Sequence, residues 1–223
     1  MSTYVVGDLH GQLPLFENLL EKISFSPQVD RLIAAGDVID RGAKVGELLE
    51  RLYEGARAGW FLPVAGNHEE AFLQVRDGED LPFYHDPEFG GTRTIESLNR
   101  LGHTRSRTLE GWLRSWPFSW SDSRHIVVHG GLPAVPGSSL GDIDLCATRI
   151  SPSGSFHECV DLRPPHILPS WDGRLVISGH TIVRKARRRD GIVMVDTGAY
   201  RTGRLSAYCL ETGRFHSVEG IPC

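Results

Sequence analysis

The sequence predicts an α/β fold, and three observations carry that expectation. Short runs rich in Val and Ile recur and end in Gly-Asp, Gly-Asn, His-Gly or Gly-His pairs. The stretches between the early runs carry helical periodicity. The resulting order, strand, helix, strand, helix, strand, is that of strands joined by right-handed crossovers.

Taken in order, Tyr4-Val5-Val6 reads as the first strand and ends at Gly7-Asp8. Leu13, Phe16, Leu19, Leu20 and Ile23 then repeat at spacings of three and four, giving one apolar helical face. Leu32-Ile33-Ala34-Ala35 ends at Gly36-Asp37, and Val45, Leu48, Leu49 and Leu52 mark a second helix. Phe61-Leu62-Pro63-Val64-Ala65 ends at Gly66-Asn67. Further on, Ile126-Val127-Val128 ends at His129-Gly130, and Leu175-Val176-Ile177-Ser178 ends at Gly179-His180. Runs this short suit buried strands better than helices.

Residues from about Asp77 to Trp120 break the rhythm with acidic, Gly, Pro and Trp residues. Two helix-like stretches, around Thr94–Leu101 and Leu109–Ser115, make this a helical insertion or cap (77–120) over the strand ends, within one domain of 1–223. From Ile192 onward the chain reads as β-hairpins, with runs at 192–195, 205–210 and 215–218. Trp112, Trp116 and Trp120 recur every four residues, as on a packed helical face. The basic run Arg184–Arg189, followed by Asp190-Gly191, reads as a solvated hairpin turn.

Of the 223 residues, 40% are hydrophobic and 23% charged, as in ordinary globular proteins. The net charge of −4 speaks against a nucleic-acid or membrane-surface binder. No membrane span or leader-like start is seen, and a cytoplasmic protein is expected. The cysteines, Cys146, Cys159, Cys209 and Cys223, form no CxxC pair and suggest neither a zinc finger nor a disulfide framework.

In an α/β sheet, ligands bind at the carboxyl ends of the strands. Asp8, His10, Asp37, Asn67, His129 and His180 all follow such ends, and so should converge on one site. Two carboxylates, one amide oxygen and three imidazoles suit Mn, Fe or Zn, not Ca or Mg. The set is too large for one tetrahedral ion and fits two ions sharing a carboxylate, with Asp37 the natural bridge. Two ions roughly 3.5–4 Å apart can clamp the attacking and leaving oxygens of a phosphoryl displacement. Gly7, Gly36 and Gly66 precede the ligands, where the backbone turns sharply and needs room.

His68 follows Asn67, and Asp40 within its reach would fix its tautomer and raise its pKa, making it a general acid. Arg41 offers a planar fork for two phosphate oxygens, and Arg149 is a second candidate clamp.

These blocks are recognisable. Gly7-Asp8-Leu9-His10-Gly11, Gly36-Asp37-Val38-Ile39-Asp40-Arg41-Gly42 and Gly66-Asn67-His68-Glu69 resemble the three signature blocks of the phosphoprotein phosphatase family. His129-Gly130-Gly131 and Gly179-His180-Thr181 look like its remaining metal-ligand motifs. Gly90-Gly91-Thr92, with Ile95-Glu96-Ser97-Leu98, resembles the compact bacterial and lambda-phage branch. The resemblance implies a βαββ-cored, calcineurin-like metallophosphoesterase sandwich of two mixed β-sheets flanked by helices. It implies Asp8, His10 and Asp37 on one metal, and Asp37, Asn67, His129 and His180 on the other. It further implies His68 with Asp40 as general acid, Arg41 and Arg149 as phosphate clamps, and two divalent ions, commonly manganese. A metal-bridging hydroxide would attack phosphorus directly on a phosphorylated protein or peptide. Asp196-Thr197-Gly198-Ala199-Tyr200 replaces the eukaryotic Ser-Ala-Pro-Asn-Tyr block, so eukaryotic regulatory subunits and toxins are not expected to bind. Two rivals remain: a symmetrical dinucleoside-tetraphosphate hydrolase, and a metal-holding interaction module without catalysis.

Overall fold

The computed structural model describes residues 1–130, 173–189 and 192–223; Arg149, Cys146 and Cys159 lie outside them. One sheet takes strands β1 (Thr3–Val6), β2 (Arg31–Ala34), β3 (Phe61–Pro63), β9 (Arg204–Cys209) and β10 (Phe215–Glu219), in the order β10-β9-β1-β2-β3. The second takes β4 (Ser119–Ser121), β5 (His125–Val128), β6 (Leu175–Ser178), β7 (Arg187–Arg189) and β8 (Ile192–Met194), in the order β4-β5-β6-β8-β7. Neighbours among β1–β3 and among β5, β6 and β8 pair in parallel, while β4, β7 and the β9–β10 hairpin pair antiparallel at the margins.

The alternation of side chains along each strand divides the first sheet between two cores. Tyr4, Val6, Leu32 and Ala34 face helices α1 (Leu13–Lys22) and α2 (Val45–Arg57), while Val5, Ile33 and Ala35 face Val127, Ile177 and Val193 of the second sheet. Each such Val, Leu or Ile, sealed from water, contributes about 1.5–3 kcal/mol. The sheets are thereby locked face to face, and the carboxyl ends of β1, β2, β3, β5 and β6 gather along one rim.

Helices α4 (Gly91–Arg100) and α5 (His103–Leu113) occupy most of the stretch read as an insertion. Both pack on α2, and Leu98, Leu109 and Leu113 join its core. Trp112 and Trp116 meet edge to face at 4.9 Å, and Trp116 is buried near Phe61. Trp120 departs from the expected helical stripe: it lies on β4 and packs into the core between the sheets. The tail also differs from a simple series of hairpins, because β8 belongs to the second sheet, where it pairs antiparallel with β7, while β9 and β10 pair in the first. The last three residues of the basic run are edge strand β7, beside β8. No helix among the described residues is long and apolar enough to cross a membrane.

Candidate active site

Asp8 and His10 follow β1, Asp37 follows β2, Asn67 opens helix α3 (Asn67–Arg76) after β3, His129 follows β5 and His180 follows β6. All six meet. The Asp37 Oδ2 atom lies 3.1 Å from His129 Nε2, 3.7 Å from His10 Nε2 and 3.8 Å from His68 Nε2. His129 Nε2 is also 3.0 Å from Asn67 Oδ1 and 3.2 Å from His180 Nδ1, and the His180 N–H donates to Asp8 Oδ1 at 3.0 Å. Two groups of potential ligands result, His10–Asp37–His68 and Asp37–His129–His180, with Asp37 common to both.

Backbone carbonyls orient the imidazoles. His10 Nδ1–H donates to the Ile39 carbonyl at 2.7 Å, and His129 Nδ1–H donates to that of Ala35 at 2.8 Å. Each ring therefore turns Nε2 inward, the arrangement that presets an imidazole as a metal ligand. Charge points the same way. Burial, then repulsion from Asp196, pushes the Asp8 carboxyl well above the usual range, and burial pushes Asp196 up to about 6. Burial also works against the Asp37 carboxylate, but His129, His68 and His10 outweigh it and hold it well below the usual range. Three sealed carboxylates facing inward-turned nitrogens form a cage that divalent cations would relieve, so the residues fit such ions.

The loops bearing these ligands are tied down by Glu69, whose carboxylate accepts the N–H groups of Gly66 at 2.7 Å, Asp37 at 3.0 Å, Val38 at 2.8 Å and Ile39 at 3.2 Å. The Gly66 bond is the half of a capping box that a glycine N-cap permits. The expected need for flexible glycines holds at Gly36, with φ of 94°. At Gly66 the requirement is space, since a Cβ there would sit 2.2 Å from Asp37 Oδ1. Apart from Ser24, the non-glycine positive angles among the described residues fall on the functional residues: φ is 41° at His10, 50° at Asp37, 67° at Asp40 and Arg41, and 59° at His180.

Beside this cage lies a second cluster. His68 Nδ1 is 2.7 Å from Asp40 Oδ2, and its ring stacks on Phe89 at 4.0 Å. The hydroxyls of Thr94 and Tyr84 donate to Asp40 Oδ1. Arg41 extends its guanidinium over the Tyr200 ring at 4.0 Å and brings Nη2 to 3.1 Å from His68 Nε2. Its Nε is buried and has no hydrogen-bond partner among the described residues. The expected rise in the His68 pKa is not what this pocket produces. Burial lowers it to about 3 and raises Asp40 to about 8, because sealing both groups from water disfavours charge on either.

A family model of calcineurin-like phosphoesterases matches residues 1–184. The chain belongs to that family. It is similar to serine/threonine-protein phosphatase 2 of Salmonella typhimurium strain LT2, with 28% identity over 93% of this chain and 92% of the relative. It is also similar to a symmetrical bis(5'-nucleosyl)-tetraphosphatase of Dechloromonas aromatica strain RCB, with 32% identity over 59% of this chain and 44% of that one. A crystal structure provisionally called a diadenosine tetraphosphatase superposes with a TM-score of 0.67 at 21% identity, over 99% of this chain and 94% of that one.

Within this calcineurin-like phosphoesterase, sequence reasoning passed over several residues that shape the site. Glu69 closes the Gly66–Glu69 block, but nothing in that block marks it as the acceptor for four backbone amides. Asp196 ends the run 192–195 just as Asp8 and Asp37 end theirs, and that pattern was its signal. Tyr200 closes the block that begins at Asp196, whereas Phe89, Tyr84 and Thr94 carry no local signal.

Proposed function

We propose that this phosphoesterase is a hydrolase of phosphate monoesters on serine and threonine of proteins. Two divalent ions, of which manganese suits the ligands well, would be held by Asp8, His10 and Asp37 on one side. Asp37, Asn67, His129 and His180 would hold them on the other. When bound, the ions would lower the pKa of water, making a nucleophile available near neutral pH, and offset charge on the phosphoryl oxygens.

The observation that carries this reading is the buried Arg41 Nε, unpartnered among the described residues, next to the His68–Asp40 pair. A buried donor without a partner costs about 1–3 kcal/mol, and a phosphate oxygen would satisfy it. The Tyr200 ring beneath holds the guanidinium plane in place. On engaging phosphate, Arg41 would release His68 Nε2, freeing that nitrogen to carry a proton to the leaving alkoxide. Asp40, fixed by Thr94 and Tyr84 and raised to about 8, would pass its proton to Nδ1 as Nε2–H goes to the alkoxide, leaving a neutral imidazole and an ionised carboxylate. The protein-phosphatase relative aligns over 92% of its length, against 44% for the tetraphosphatase relative, which supports a protein substrate.

The test is hydrolysis of a phosphoserine peptide, a phosphotyrosine peptide and diadenosine tetraphosphate, each with and without Mn²⁺. Mn²⁺-dependent turnover of the phosphoserine peptide, abolished by chelation, is expected. Preference for the dinucleotide would move the function to nucleotide hydrolysis.

A further inference from the structure

The segment leaving the site after His180 alternates in exposure: His180 and Ile182 are exposed, while Thr181 and Val183 are buried. Arg184, Lys185, Arg187 and Arg188 follow, all exposed, with Ala186 tucked into the core. None of these four cationic side chains enters an ion pair among the described residues, in a chain whose net charge is −4. Ile182 is one of the few large exposed hydrophobics among the described residues and lies midway between His180 and the first cation.

The pairing register sets the distances. Arg187 lies opposite Met194, and Met194 lies opposite Ser178, two residues before His180. Two strand spacings place Arg187 about 10 Å from Ser178, at the end of the sheet where the ligands gather. Arg184 follows His180 by four residues, a span of at most about 14 Å. Lone charges on an edge strand often serve only to keep it from pairing with another chain. That accounts for Arg187 and Arg188, but not for Arg184 and Lys185, which precede the strand, nor for an exposed Ile182.

We propose that this track receives the peptide flanking the phosphorylated residue, and that it selects substrates with acidic residues about three to five positions from the phosphate. The inference rests on the protein-phosphatase reading and adds the sequence class of its substrate. Ile182 supplies an apolar contact next to the reacting centre. The cations then meet carboxylates at the roughly 3.3 Å per residue of an extended peptide.

The experiment compares kcat and KM on three substrates: a phosphoserine peptide with Asp and Glu at those positions, the same peptide with Ala and Gln there, and p-nitrophenyl phosphate. Wild type is set against the double variants Arg184→Glu with Lys185→Glu, and Arg187→Glu with Arg188→Glu. The expected result is that KM for the acidic peptide rises about tenfold in the variants and also rises with salt. Values for the neutral peptide and p-nitrophenyl phosphate, which do not use the cations, stay within about twofold, which also shows that the variants fold. Equal handling of the two peptides by wild type, or an unchanged KM in both variants, would overturn the proposal while leaving the phosphatase reading intact. Hydrolysis of diadenosine tetraphosphate with neither peptide turned over would overturn both.

Discussion

The ligands supplied by the first sheet and those supplied by the second are held in different ways. His10 and Asp37 are sealed at 1% and 2% exposure, in loops fixed by Glu69 and by carbonyls of their own half. His129 and His180, from the second sheet, lean on the first: one donates to the Ala35 carbonyl, and the backbone of the other donates to Asp8. His180 stands exposed at the mouth. Ring orientation therefore runs from the first half to the second, while charge runs back, His129 holding the Asp37 carboxylate ionised. Damage to the first half should spread to the second, and damage at His180 should stay local.

The severest test of this asymmetry is Asp37→Asn, because Asp37 is common to both ligand groups. It should abolish metal retention and turnover together, read as metal content after gel filtration and hydrolysis of p-nitrophenyl phosphate. Retention of one ion would break the comparison. His68→Asn should keep the metal content and lower kcat by about 10²- to 10⁴-fold, as for loss of a general acid. Unchanged turnover of an alkyl phosphate would remove the acid role.

Glu69→Gln sharpens the contrast further. The amide cannot accept all four N–H groups, so affinity for both ions should fall about 10- to 100-fold although Glu69 touches neither. His180→Ala should weaken one ion and spare the other, measurable by metal titration. The smallest effect is protonic. Burial alone would lower the His129 pKa, but Asp37 and Asp8 outweigh it and raise the metal-free ring to about 10. Below that value the ring holds its proton, and a metal must displace it. Binding at pH 8 should therefore release a proton and tighten as pH rises towards 10. Calorimetry in buffers of different ionisation enthalpy reads this release directly, and identical heats would contradict it.

Much of this was legible in the sequence because the strand-end pairs are local: a Val- or Ile-rich run, a glycine, then a ligand. Helices α1 and α2 showed themselves through spacings of three and four. What escaped notice depends on long-range contact. Thr94 meets Asp40 across 54 positions, and Tyr84 meets it across 44. Nothing within either segment marks its hydroxyl for a buried carboxylate. Trp120 misled because a spacing of four also continues into a strand, whereas Arg187–Arg189 form one arm of an antiparallel pair with β8, within the hairpin the sequence suggests.

The left-handed backbone angles at His10, Asp37, Asp40, Arg41 and His180 bear on how such a protein ages through evolution. Each places a residue with a Cβ where glycine sits more comfortably, at a cost of roughly 1–2 kcal/mol. Selection for durability alone would drift these positions towards glycine or asparagine, and would gain heat resistance as chemistry was lost. A descendant freed from catalysis should therefore outlast its working ancestor, and these five codons are where the change would first be written.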